Sequence, residues 1–141
     1  MAMKENLAMR TKTVLEAADA AIIIDAAKKE AVAHGWKVSI AVVDEAGYLL
    51  HLERQDGAPL QSPEIATGKA RTAAIGRVPT KALEDVVRER PAVALMPGRL
   101  PIQGGVPLIL DGEVIGGVGV SGVKSHEDEI VAEAGRKVLL G

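Results

Sequence analysis

The stretch ERQDGAP, residues 53–59, sets Arg54 two positions before Asp56 at the end of an alternating apolar run. A guanidinium so placed is a carboxylate clamp, because its planar fork donates two parallel hydrogen bonds. An ion pair of Arg54 with Asp56 or Glu64, holding the turn, is the competing use of the same residues, and Asp56-Gly57 also reads as a plain turn signal. On the next helical stretch stand Glu64, Lys69, Arg71 and Thr72. Lys69 shares a helix face with Ile65, Thr72 and Gly76, so partial burial would lower its basicity and make it a base or an imine-forming amine. The alternative is a surface lysine that lays its stem over apolar atoms and keeps its ammonium in water. With Lys69, Asp56 or Glu64 moving a proton and Arg54 holding a carboxylate, the set suits cofactor-free lyase, hydratase or isomerase chemistry on a small anionic organic acid.

In ILDGEVIGGVGVSG, residues 109–122, Gly117, Gly119 and Gly122 match the spacing of a dinucleotide-binding loop. That loop needs a preceding strand, a helix opening at its last glycine, a second parallel strand and an acid roughly 20 residues on. Here a hairpin precedes the glycines and the chain ends before the second strand. Glycine inside a strand weakens it unless a backbone or a ligand comes close. Two uses therefore stay open: a helix packed tightly on the sheet, or a ligand against bare main chain. In the second, amides near Gly104, Gly105 and Ser121 would hold an anion, helped by the start of the last helix.

The three histidines do not form a spaced metal motif. His34 suits the negative end of the first helix. His51 lies on a strand on the same side as Leu49 and Glu53, where it could ligate iron, shuttle a proton or face water. No chemistry falls to His126, and VSG is not a nucleophile elbow.

The elements that must position these groups follow from periodicity. Residues 11–34 recur apolar at three- and four-residue steps before Gly35, predicting one long helix. KVSIAVVD and YLLHLERQ alternate around Gly47 as a hairpin. Ser62 as cap and Pro63 as first residue open a helix to about Gly76, another runs from Thr80 toward Pro91, and a short strand is expected near Val93. VPLILDGEVIGGVGVSG is a second hairpin turning at Asp111-Gly112. Ser125 to Leu140 is the final helix, with Ser125 and Asp128 as a capping box. Two tight hairpins imply antiparallel strands, hence an α+β sheet with helices on its faces.

A chain of 141 residues has room for one domain and one core, so a single domain over 1–141 is expected. Its apolar share, 48%, is almost wholly aliphatic, with Trp36 and Tyr48 the only aromatics. A net charge of −2 leaves no field for a phosphate backbone, and two aromatics make no stacking platform, so no nucleic-acid partner is expected. Without cysteine there is no disulfide framework or thiolate metal site, and AAIIIDAAKK is too short to span a membrane. A soluble, cytoplasmic protein is the expectation.

Taken in order, IAVVDEAGYLL, ERQDGAP, GKARTAA, GGVPLILDGEVIGGVGVSG and EDEIVAEAG resemble the GlcG/HbpS-like family, called haem-degrading or haem-binding, which also supplies the C-terminal domain of some cobalamin adenosyltransferases. The resemblance runs from about Val38 to Gly135. It implies a profilin-like α/β/α sandwich with a central antiparallel sheet, assembled as a dimer, tetramer or octamer. It also implies a small-molecule ligand, with haem or a related tetrapyrrole as the named candidate and His51, His34 or Tyr48 as the axial ligand. Gln55 stands where the family commonly has methionine, and Ile75-Gly76 where it often has phenylalanine.

Overall fold

The computed structural model describes residues 6–141. Helix α1 (Ala17–His34) leads into strands β1 (Ser39–Asp44) and β2 (Leu49–Arg54), then helices α2 (Ser62–Gly76) and α3 (Thr80–Glu89). Strands β3 (Gly105–Leu110) and β4 (Glu113–Ser121) follow, and helix α4 (Ser125–Arg136) ends in a 3-10 turn, Lys137–Leu140. The strands form one antiparallel sheet in the order β2-β1-β4-β3. Helices α1 and α4 cover one face and α2 the other, which is the expected α+β sandwich.

The two faces differ because the strand residues alternate in size. Ile40 and Val42 of β1, with Val118 and Val120 of β4, bury against Ile23, Ile24, Ala27 and Val131 of α1 and α4. Each such valine or isoleucine side chain contributes about 1.5–3 kcal/mol on leaving water. Toward α2 the middle of the sheet presents Ala41, Val43 and the β4 glycines, and α2 answers with Ala66, Ala70 and Ala74. A β-carbon on Gly117 would strike the carbonyl oxygen of Ala70, and one on Gly119 that of Ala66. The glycines of β4 therefore serve helix packing, and main chain of α2 occupies the space a nucleotide would need.

Several boundaries differ from the periodicity. Helix α1 starts at Ala17, not Thr11, and Glu16 N donates to the Asp19 carboxylate at 2.9 Å. Thr11, Thr13 and Val14 are stiff, β-branched residues, and the segment instead runs extended with Leu15 buried in the core. The strand expected near Val93 is a 3-10 turn, Pro91–Leu95, since Pro91 has no N–H for a ladder and no strand lies alongside. Ser62 is the first residue of α2 rather than its cap, and its hydroxyl bonds Ser39 Oγ and the Pro59 carbonyl. At α4 the cap residue is Lys124, whose backbone N–H donates to Glu127 Oε1 at 3.2 Å, in place of a box of Ser125 with Asp128. A bulge between Val42 and Val43 sets Leu49 opposite Val43 and brings Leu50 against the α1-side core, so Leu49 no longer shares a side with His51 and Glu53. No helix among the described residues is long and apolar enough to cross a membrane.

Candidate functional site

Lys69 lies on the face of α2 that meets the sheet, and its side chain is 3% exposed. From there it runs past the start of β3 to the far helical layer. Nζ donates to the Val120 carbonyl at 3.0 Å and to Asp128 Oδ2 at 3.0 Å, and Asp128 Oδ1 accepts Val123 N at 3.1 Å. Gly104 lets the lysine through, since a β-carbon there would stand 2.7 Å from Nζ. Burial pushes the Asp128 carboxyl above the usual carboxylate range, and the Lys69 charge pulls it back. The result is a closed strut between α2 and the first turn of α4, with both charges out of water.

Gly104 and Gly105, where amides were expected to hold an anion, are buried. The Gly105 amide is already given to Thr80 Oγ1 at 2.9 Å, and its α-carbon faces the Lys69 carbonyl. The Gly104 carbonyl accepts Val120 N at 3.0 Å.

Across the same end of the sheet, Ser39 stands opposite Arg54 on one side and Ser121 on the other, so the three form a row. Ser39 Oγ meets Ser62 Oγ at 2.8 Å, which puts the row on the α2 side. Arg54, Asp56 and Glu64 are exposed, and none is ion-paired among the described residues. Lys69 is thus separated in role from the other candidates, being locked into the interior while they face water.

The histidines lie apart. His51 is half-buried on β2 opposite Val42. His34 Nε2 meets Glu30 Oε2 at 2.8 Å, and its ring stacks on Trp36 with centroids 4.1 Å apart. His126 is exposed. No cluster among the described residues could hold a metal ion.

An aliphatic pocket lies on the opposite face. Half-open and about 240 Å³ in volume, it is walled by Val14, Leu15, Ile22, Ile23, Ile115 and Leu139, with Thr13 and Asp19 at its edge. The extended stretch before α1 makes it by lying against the β3–β4 hairpin while α1 and the last turn close the sides. Periodicity hides this pocket, because residues 11–16 read as helix and its walls come from both ends of the chain.

Comparison with known proteins agrees with this architecture. The family model for haem degrading protein HbpS-like matches residues 15–137. Protein GlcG of Escherichia coli K12 is 45% identical over 114 residues, covering 80% of this chain and 85% of that protein. A crystal structure of a double mutant of Streptomyces reticuli HbpS superposes with a TM-score of 0.90 at 36% identity, covering 99% of this chain and 95% of that one. A PduOC–haem complex superposes at 0.80 with 29% identity, covering 88% of this chain and 94% of that one. A match over nearly the whole sandwich, in sequence as well as shape, makes this chain a member of the HbpS-like family.

Proposed function

We propose that the chain is a small-ligand-binding protein whose ligand is haem or a related tetrapyrrole, seated by its edge in the aliphatic pocket beside α1. The observation that carries this reading is the pocket itself. Its walls are almost wholly aliphatic, which suits the periphery of a macrocycle. At about 240 Å³ it falls below the roughly 300–1,000 Å³ of pockets that enclose a ligand, so it takes an edge rather than the whole molecule. The HbpS-like family and the haem complex of the PduOC neighbour support the choice of ligand.

The residues fit the macrocycle and not its iron. Among the described residues no histidine, tyrosine or methionine lines the pocket, and His34, His51 and Tyr48 are not among its walls. Haem would bring iron and its redox chemistry, while the chain supplies an apolar seat. Binding is favoured over acid–base catalysis for a separate reason: Lys69 is held by Asp128 and the Val120 carbonyl, out of reach of a substrate. Self-association belongs to the same proposal, supported by the exposed Leu49, Leu52 and Leu60 around β2 and the start of α2.

Absorbance and fluorescence titrations test the reading. Haem and metal-free protoporphyrin are expected to bind with affinities within about threefold of each other, a difference under ~1 kcal/mol. His51→Ala and His34→Ala should leave both unchanged. Loss of haem binding in His51→Ala would place the ligand at β2 instead, and failure of both porphyrins to bind would end the reading.

A further inference from the structure

The extended strap ahead of α1 crosses the turn ends of both hairpins without joining the sheet. Among the described residues no main-chain hydrogen bond ties residues 7–14 to any element, and all of them are exposed. One side chain pins the segment. Leu15 is 5% exposed and lies over Gly116 of β4, where a β-carbon would stand 3.4 Å from Leu15 Cδ1. Ahead of that pin the strap is held by two ion pairs, one to each hairpin. Lys12 Nζ meets Glu45 Oε1 in the β1–β2 turn, and Arg10 Nη1 donates to Glu113 Oε1 at the start of β4, 3.1 Å away. From residue 7 to residue 15 the charged side chains are these two cations, while the turns opposite carry Asp44, Glu45, Asp111 and Glu113. Both pairs are solvated, and exposed pairs of this kind hold weakly.

The strap also divides one groove into two. On its α1 side lies the aliphatic pocket of about 240 Å³, and on its other side a cleft of about 150 Å³ reaches Asp44, Glu45 and Ala46. Thr13, Val14, Leu15 and Ile115 line both. Thr13 and Val14, both exposed, are therefore the partition, and the buried Leu15 and Ile115 are the common floor. A segment with few buried contacts and no main-chain bonds opens locally while the sheet beneath stays folded. We propose that residues 7–14 are a latch that swings about Leu15, opening the pocket beside α1 into a wider groove for entry and closing over the ligand, with Lys12–Glu45 and Arg10–Glu113 as the catch. The latch rests on that pocket being the ligand seat, and it lets the edge of a ligand reach a floor that the strap covers at rest.

The chain has no cysteine, so Ile115→Cys places a single thiol on the floor beneath the strap. Its reaction with methyl methanethiosulfonate, an uncharged reagent, is expected to quicken about fivefold or more when Glu45→Lys and Glu113→Lys turn both attractions into repulsions. Adding Arg10→Glu and Lys12→Glu restores the pairs with opposite polarity and should return the rate to near its starting value. Val131→Cys, buried under α4 away from the strap, should react at one slow rate throughout. In the cysteine-free protein, Glu45→Lys with Glu113→Lys should speed association and dissociation of metal-free protoporphyrin together. The proposal is overturned if the Ile115→Cys rate ignores the reversal, if Val131→Cys quickens equally, or if protoporphyrin binds and leaves at unchanged rates. Failure of protoporphyrin to bind ends the tetrapyrrole reading alone, and the thiol rates then decide the latch. Should Ile115→Cys fail to fold, trypsin cleavage after Lys12 decides instead: it should be faster with Glu45→Lys and Glu113→Lys than in the parent, and equal rates overturn the proposal.

Discussion

Lys69→Met is expected to cost the fold about 3–5 kcal/mol, the loss typical when one partner of a buried ion pair is removed and the other stays behind. Methionine fills the channel past Gly104, so the cost is that of Asp128 left charged at 1% exposure. The pH dependence has a definite sign. A carboxyl whose folded pKa is raised binds its proton more tightly when folded, so stability falls as pH rises from the unfolded value through the folded one. Burial already raises Asp128, and without Lys69 nothing opposes that rise except the Val123 amide. The deficit of Lys69→Met should therefore be greatest near neutral pH and shrink on acidification as Asp128 takes up its proton. Urea unfolding at a series of pH values measures this. The double variant Lys69→Met, Asp128→Leu should recover most of the loss, short of about 1 kcal/mol for the Val123 amide left without its acceptor. A single variant as stable as the parent at pH 7 would mean the pair is open to water.

Gly119→Ala is expected to be comparably damaging through packing alone. One methyl group would meet the Ala66 carbonyl and the Ala70 amide, both main chain inside α2, which cannot rotate aside as a side chain can. Overpacking a core commonly costs 1–3 kcal/mol, and with rigid backbone opposite the cost should reach about 3 kcal/mol or more. Gly76→Ala is the control, because its nearest neighbour is the Leu83 side chain at 3.3 Å. Thermal unfolding should separate the two, and equal melting temperatures would refute the close contact between α2 and β4.

How far the sequence discloses all this depends on the range of each interaction. The Asp111-Gly112 turn and the alternation of β1 are local, and both hairpins stand where pattern placed them. For Lys69 the helix spacing allowed a surface position as well as a partly buried one, and only its contacts across the sheet chose the interior. Its partner was not legible, because Asp128 lies 59 residues away in a position that also reads as a helix cap. The β4 glycines carried two readings, and only the course of α2 over them chose helix packing. Residues 11–16 misled because their spacing continues that of α1, while their β-branched side chains and buried Leu15 favour an extended strap. With the strap misread as helix, the pocket it helps to build was invisible.

The claim that the ligand sits beside α1 is tested most directly by Ile22→Asp, a change at a wall residue that is already 58% exposed and so tolerated by the fold. In a haem titration monitored at the Soret band, with unfolding followed in parallel, an added carboxylate at the pocket is expected to weaken binding at least tenfold, about 1.4 kcal/mol, with stability unchanged. Unaltered affinity in a folded Ile22→Asp protein would contradict the account and place the ligand elsewhere on the molecule.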